Sequence, residues 1–130
     1  MIVADTDVLI DFLAGREPTA ERVALAIERG QLQTTTVTRV EMLAGARTMR
    51  ELQTVRALLQ ALPTLTLDEA AADRAADVKR DLERRGQPIG MADCLIAGIV
   101  LAHDGVLLTR NERHFARVPG LALATSTPPR

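Results

Sequence analysis

The first thirteen residues of the chain, 1–13, have the sequence MIVADTDVLIDFL. Residues 1–4 form an apolar run of the kind that makes a buried strand. The apolar residues after Asp5 recur at helical spacing, and they are Val8, Leu9, Phe12 and Leu13. The stretch therefore predicts a strand that ends at Asp5 and a helix that follows it, which is the repeating unit of α/β domains.

Strand and helix patterns alternate along the rest of the chain. Further strands are predicted at residues 32–37, 64–67, 106–109 and 121–124. Helices are predicted at residues 18–30, 52–62, 71–86, 91–103 and 111–115, and a further helix is predicted to begin with Thr38 as its N-cap. This alternation predicts an α/β domain with a mainly parallel sheet and helices on both faces.

The length and composition indicate an ordinary globular protein. The 130 residues are enough for one core, so we predict a single domain over residues 1–130 with a flexible, Pro-rich tail over about residues 125–130. The apolar fraction is 47% and the formal net charge is −1. Only 2% of the residues are aromatic, which argues against nucleic-acid binding by base stacking.

The same composition bears on the expected compartment. No apolar run approaches the ~20 residues needed to cross a bilayer. The single cysteine, Cys94, excludes an internal disulfide and a Cys-rich zinc site, and we expect it to be a small core residue. We therefore expect a soluble, cytoplasmic protein that does not enter a membrane.

Three acidic residues, Asp5, Glu41 and Asp93, lie in apolar segments at predicted strand ends or helix starts. Ligands of parallel α/β sheets bind beyond the carboxyl ends of the strands. Asp5 follows the first strand, Glu41 the second, and Asn111 comes just after the strand at 106–109. We expect these side chains to converge at one edge of the sheet.

Each acid also has a purely structural explanation. Asp5 could cap the helix that begins near Thr6. Glu41 is the last residue of a capping-box pattern that starts at Thr38, in which the Glu reaches back to the N-cap amide. Asp93 lies in the first turn of its helix, where the helix dipole favours an anion. These alternatives stay open for each residue taken alone.

Taken together, the acids point to a metal ion. Carboxylates about 4 Å apart repel by roughly 4 kcal/mol per pair at an effective dielectric of 20, so the cluster needs protons or a cation. Oxygen ligands alone suit Mg²⁺ or Mn²⁺. A metal in an acidic cleft without a Gly-rich phosphate loop suits hydrolysis of a phosphodiester by activated water.

Other polar residues near these positions receive structural interpretations. Asp7 and Asp11 are predicted to point away from Asp5 or into solvent, with a supporting role beside the metal ligands left open for Asp7. His103 and His114 are predicted to be structural, because no second His or Cys stands at metal-ligand spacing. Contact with RNA phosphates is left open for the basic residues around Asn111, which are Arg110, Arg113 and Arg117.

Three segments together resemble the PIN-domain ribonucleases, in particular the VapC-type toxins of bacterial type II toxin–antitoxin pairs. The segments are IVADTDVLIDFLAG, VTRVEMLAGA and IGMADCLIAGIVLAHDGVLLTRNERHFARVPGL. Their order and spacing match the family, and the resemblance covers nearly the whole chain.

The resemblance implies a PIN-like three-layer α/β/α domain and a Mg²⁺- or Mn²⁺-dependent endoribonuclease. It places Asp5, Glu41 and Asp93 among the acidic metal-binding residues, and Asn111 at a fourth catalytic position that is Asp in many members. Asn lacks the charge of Asp, which bears on binding of a second metal. The Thr6 and Thr109 hydroxyls would support the site.

The resemblance also implies partners, namely an RNA substrate, a cognate antitoxin protein that blocks the cleft, and a second toxin copy in a homodimer. Two other functions stay open. One is a binding or regulatory module that docks RNA or an antitoxin without catalysis. The other is a small metal-dependent phosphatase or phosphoacceptor domain, for which no acceptor Asp with a well-placed Lys is evident.

Overall fold

A five-stranded sheet lies at the centre of the computed structural model, which describes residues 1–128. The strands are β1 (Ile2–Ala4), β2 (Leu32–Thr35), β3 (Thr64–Leu65), β4 (Val106–Leu108) and β5 (Ala122–Ala124). They lie in the order β3-β2-β1-β4-β5, and each neighbouring pair is parallel. The prediction of a mainly parallel sheet is confirmed.

Seven helices connect and flank the strands within residues 1–128. They are α1 (Thr6–Ala14), α2 (Thr19–Glu28), α3 (Thr36–Gly45), α4 (Met49–Ala61), α5 (Glu69–Arg84), α6 (Met91–Ala102) and α7 (Glu112–Phe115). Every helix expected from the sequence is present, and the differences lie at the boundaries.

The clearest boundary error lies between β2 and α3. The predicted strand over residues 32–37 ends at Thr35, because the Thr35 hydroxyl accepts the Thr38 backbone N–H at 3.1 Å and caps α3. The chain is therefore helical from Thr36 onward, and the prediction of Thr38 as N-cap is wrong. The strand predicted over residues 64–67 is likewise shorter, since β3 covers Thr64–Leu65.

The central strands send alternate side chains into two cores, as the two-residue period of a strand requires. In β1, Val3 packs on the side of α5 and α6, whereas Ala4 packs on the side of α1 to α4. Leu107 and Leu108 of β4 divide in the same way. Helices therefore cover both faces, and the predicted three-layer α/β/α arrangement is confirmed.

Helices α5 and α6 pack closely at Gly98. A Cβ atom at Gly98 would lie 2.6 Å from the Ala71 carbonyl oxygen and 2.6 Å from Ala75 Cβ. The glycine thus lets α6 approach the backbone of α5, in keeping with the buried helix predicted there. Cys94 of α6 is buried, as expected for a small core residue.

The strand order defines a crevice above the centre of the sheet. From β1 the chain adds β2 and β3 on one side, and later β4 and β5 on the other. The carboxyl ends of β1 and β4 therefore flank the point where the strand order reverses, which is the usual ligand position in such sheets. Asp5 continues the pairing of β1 with β4, because its backbone N–H donates to the Leu108 carbonyl at 2.9 Å.

Two expectations concern the limits of the domain. Within residues 1–128, none of the helices combines the length and apolar character that a bilayer-spanning segment needs.

The predicted flexible tail over residues 125–130 extends past the described part of the chain, since residues 129 and 130 lie outside it. The Thr125 carbonyl accepts a hydrogen bond from Arg22 at 3.1 Å, and the single-domain boundary at 130 stays a prediction.

Candidate active site

Asp5 links the start of α1 to the end of β4. One carboxylate oxygen, Oδ1, accepts the Thr6 backbone N–H at 2.8 Å and caps the helix. The other, Oδ2, accepts the Thr109 hydroxyl at 2.7 Å. Asp5 is nearly buried, with 6% of its surface exposed. Asp5 therefore caps α1 and also faces the crevice between β1 and β4.

The environment of Asp5 makes its charge costly. Burial is the largest influence and, with the nearby charge of Asp7, raises the pKa of Asp5 from 3.8 to about 6. Hydrogen bonds from Thr109 and Thr6 oppose the increase, and the Glu41 charge adds a smaller rise. A carboxyl group with this pKa is partly protonated near neutral pH unless a cation offsets its charge.

Glu41 reaches the same crevice from α3. Its Oε1 accepts the Thr6 hydroxyl at 2.7 Å, so Glu41 contacts α1 across a separation of 35 residues. The capping-box interpretation requires Thr38 to be the N-cap, and it is wrong. The N-cap is Thr35, whose hydroxyl accepts the Thr38 backbone N–H. The side chain of Glu41 is exposed, and its oxygen lies beside the residue that follows Asp5.

Asp93 enters from α6, where it lies in the first turn as predicted. Burial raises the pKa of Asp93, and the charges of Asp5 and Glu41 raise it further. The proximity of His114 lowers it. The charges of Asp5 and Glu41 therefore both reach Asp93 across the edge of the sheet.

Asn111 occupies the loop between β4 and α7. Its backbone N–H donates to the Thr109 hydroxyl oxygen at 2.9 Å, and its Nδ2 lies 2.9 Å from His114 Nδ1. The interpretation of His114 as a purely structural residue overlooked this contact and its effect on Asp93. In the sequence, the contact between Asn111 and His114 is indicated only by their spacing of three residues.

Asp7 does not point away from Asp5, so the prediction for Asp7 is wrong, and Asp11 is buried and does not face solvent. Asp7 Oδ2 accepts the Arg110 backbone N–H at 3.1 Å and lies 3.5 Å from the Thr109 hydroxyl. Asp11 is 2% exposed and pairs with Arg110 at 2.7 Å and with Arg16 at 3.3 Å. The i, i+4 spacing places both acids on the side of α1 that meets the loop after β4.

The basic residues around Asn111 have different roles. Arg110 pairs with the buried Asp11 and keeps about half of its side chain exposed. Arg113 is exposed, whereas Arg117 donates to the Pro88 carbonyl at 3.2 Å. Contact of any of them with RNA stays a prediction, but the geometry favours Arg110 and Arg113 over Arg117.

The donor atoms at this edge suit a hard divalent cation. Asp5, Glu41 and Asp93 supply carboxylate oxygens, and Asp7 Oδ1 is buried without a hydrogen-bond partner within residues 1–128. In the same part of the chain, no three Asp, Glu, His or Cys side chains are gathered tightly enough to hold an ion together. The oxygen atoms are therefore of the kind that binds such a cation, although within residues 1–128 they do not form one compact set of ligands.

Comparison with known proteins identifies the family of the chain. Residues 2–121 match the PIN domain family. The chain is 30% identical over 121 residues to the tRNA(fMet)-specific endonuclease VapC of Shigella flexneri, covering 90% of this chain and 91% of that protein. It is 35% identical over 115 residues to ribonuclease VapC10 of Mycobacterium tuberculosis H37Rv, covering 88% of this chain and 86% of that protein.

A solved structure gives the same result for the fold. The DNA-bound VapBC complex of Salmonella typhimurium contains a chain that is 27% identical, with a TM-score of 0.85 and coverage of 96% of this chain and 97% of the other. PIN-domain nucleases of the VapC type are generally metal-dependent. The sheet order, the acidic edge and these similarities together place the chain in the PIN-domain family, among the VapC ribonucleases.

Proposed function

We propose that this chain is the endoribonuclease toxin of a type II toxin–antitoxin pair and hydrolyses RNA phosphodiester bonds in the cytoplasm. The observation that carries the proposal is the placement of Asp5, Glu41 and Asp93 at the carboxyl edge of the sheet, where burial raises the pKa values of Asp5 and Asp93 and the nearby charge of Glu41 raises both further. Such perturbed carboxyls in a crevice are typical of functional sites. Membership of the VapC ribonucleases supports the same activity.

The proposed cofactor is Mg²⁺, with Mn²⁺ as a substitute. Asp5, Asp93 and Glu41 would hold the ion, which when bound lowers the pKa of water and offsets negative charge at the phosphate. Asp5 is fixed for this role by the Thr6 N–H and the Thr109 hydroxyl. Asn111 contributes a neutral amide, so we expect the chain to rely on fewer charged ligands than relatives with Asp there.

The loop after β4 would contribute to substrate binding. Arg110 is held over α1 by Asp11, and its backbone N–H is held by Asp7. This holds the half-exposed guanidinium of Arg110 beside Asp11, where it could contact an RNA phosphate. The near-neutral net charge of −1 predicts modest RNA affinity that falls with salt concentration.

The proposed protein partner is a cognate antitoxin. An apolar groove of about 390 Å³ lies between α1, α3 and α4, next to the acidic edge. Ile10 and Leu13 line it with 46% and 37% of their surfaces exposed, and Glu41 and Glu51 also line it. An antitoxin segment with apolar side chains and one cationic side chain would fit both features. The toxin homodimer stays a prediction.

Cleavage by the purified, antitoxin-free protein tests the activity. The protein is incubated with a mixed RNA pool and with total tRNA, the latter because a 30% identical relative is named for tRNA(fMet). We expect cleavage in Mg²⁺ or Mn²⁺, none in EDTA, and a 5′-phosphate on the product.

One observation favours a second function, a binding or regulatory module without catalysis. No three acids within residues 1–128 are gathered tightly enough to hold an ion, and Asn111 lacks a charge. A folded protein that leaves every RNA intact in all three buffers and still binds its antitoxin would support this module and contradict the nuclease.

A further inference from the structure

Three threonine hydroxyls form a continuous path that ends at Glu41. The Thr6 hydroxyl lies 2.7 Å from Glu41 Oε1 and 3.1 Å from the Thr38 hydroxyl. The Thr38 hydroxyl lies 3.3 Å from the Thr35 hydroxyl, whose oxygen also accepts the Thr38 backbone N–H at 3.1 Å. The path connects α1, α3 and the end of β2.

The direction of this path follows from the number of hydrogens. An ionised carboxylate can only accept, so the single hydroxyl hydrogen of Thr6 is committed to Glu41. The Thr6 oxygen must then accept from Thr38, and the Thr38 oxygen must accept from Thr35. With Glu41 charged, every hydroxyl donates toward its carboxylate.

The burial of the path makes this alignment matter. Thr35 and Thr38 are both 0% exposed, so water cannot replace their hydroxyl partners. Aligned hydrogen bonds in a medium of low polarity strengthen one another. Glu41 itself is exposed, so the hydrogen bond from Thr6 is what ties its carboxylate to the buried path.

We propose that Thr6, Thr38 and Thr35 form a hydroxyl relay that positions the charged carboxylate of Glu41 at the acidic edge. The three threonines are positioning residues, because they act on the reaction through Glu41. The inference rests on the proposed nuclease function, and it assigns roles to Thr35 and Thr38 that the acidic residues alone do not reveal.

The test compares Thr38→Val with Thr38→Ser. Valine has nearly the shape of threonine but no hydroxyl, whereas serine keeps the hydroxyl. Thr34→Val is the matched control, because Thr34 is also 0% exposed, precedes Thr35 in β2, and has a buried hydroxyl without a partner within residues 1–128. Unfolding curves verify that each variant folds.

Two quantities are measured, kcat/KM for RNA cleavage and the dissociation constant of Mn²⁺ by calorimetry. We expect Thr38→Val to lower kcat/KM about fivefold, the size of one lost hydrogen bond, and to weaken Mn²⁺ binding by a similar factor. Thr38→Ser should restore both, and Thr34→Val should leave both unchanged. If Thr38→Val unfolds the protein, the same two quantities are compared in Thr6→Val and Thr6→Ser.

The outcomes separate the relay from the nuclease proposal. Thr38→Val behaving like Thr34→Val in both measurements would overturn the relay, as would Thr38→Ser behaving like Thr38→Val. A wild-type protein that cuts no RNA would instead contradict the nuclease function. In that case the Mn²⁺ measurement still tests the relay by itself.

Discussion

The Thr109 hydroxyl donates a hydrogen bond of 2.7 Å to Asp5 Oδ2, across 104 positions of the sequence. The contact joins the ends of β1 and β4 at the place where the strand order of the sheet reverses. Because Thr109 is fully buried and its oxygen also accepts the Asn111 N–H, one hydroxyl orients both an acid and the loop residue beside it.

Replacing this hydroxyl should impair the site without removing a carboxylate. In Thr109→Val, Asp5 loses a hydrogen bond that lowers its pKa, so the charged form becomes less favourable. We expect about a tenfold fall in RNA cleavage at pH 7, with near wild-type activity in Thr109→Ser. Equal activity of the Val and Ser variants would show that the hydroxyl is dispensable.

The raised pKa of Asp5 predicts an unusual pH dependence of stability. Its pKa is about 6 in the folded protein and 3.8 in its ordinary state, so the folded state binds the proton more tightly. The free energy of unfolding in EDTA should therefore fall, by on the order of 2 kcal/mol from this group, as pH rises from about 4 to about 6.

Urea unfolding in EDTA at several pH values measures this effect. The slope should be shallower in Asp5→Asn, which cannot ionise. Added Mg²⁺ should recover stability at pH 7, because a bound cation offsets the carboxylate charge. Identical slopes in the wild type and Asp5→Asn would contradict the assigned pKa.

Asp11 pairs with two arginines at different distances, so we expect replacement of each arginine to have a different effect on stability. Arg110 lies 2.7 Å from the buried carboxylate and Arg16 lies 3.3 Å from it. Loss of Arg110 removes the closer partner of a buried charge, so Arg110→Gln should cost ~1–2 kcal/mol of unfolding free energy. Arg16→Gln should cost less than ~1 kcal/mol, since Arg16 is more exposed. The same cost for both variants would contradict the larger stabilising role assigned to Arg110.

The close approach of α5 and α6 predicts that Gly98 tolerates no side chain. Gly98→Ala would place a methyl group 2.6 Å from the Ala71 carbonyl oxygen, so we expect a loss of ~1–3 kcal/mol. Gly45→Ala in α3 is the control, because a Cβ there meets nothing within 4 Å. Thermal unfolding of the two variants should give a clearly lower Tm for Gly98→Ala alone.

The fold was predictable because its elements carry strong local patterns. The apolar run before Asp5, the helical spacing after it, and the buried helix ahead of His103 lead directly to a parallel α/β sheet. The boundary at Thr35 was missed because three threonines in succession can each continue a strand or cap a helix. The N-cap is decided by the hydrogen bond from the Thr38 N–H to the Thr35 hydroxyl, which is a feature of the folded structure.

The sequence indicated the acids of the candidate site but not the contacts that support them. Asp5, Glu41 and Asp93 stand out because a charge in an apolar segment is costly. The roles of Asp7, Asp11 and the relay depend on contacts between α1, α3 and the loop after β4, which no local pattern encodes. For α1, the i, i+4 spacing of the two acids was the available indication, but it fits a solvent-exposed face equally well.

The most direct test of the account is the rate of RNA cleavage by Asp93→Asn in Mg²⁺. The matched control is Asp77→Asn, which removes an exposed acid from α5 with the same change in net charge. We predict at least a hundredfold loss in Asp93→Asn and none in Asp77→Asn, with antitoxin binding retained by both. Wild-type rates in a folded Asp93→Asn protein would contradict the claim that the acidic edge carries the reaction.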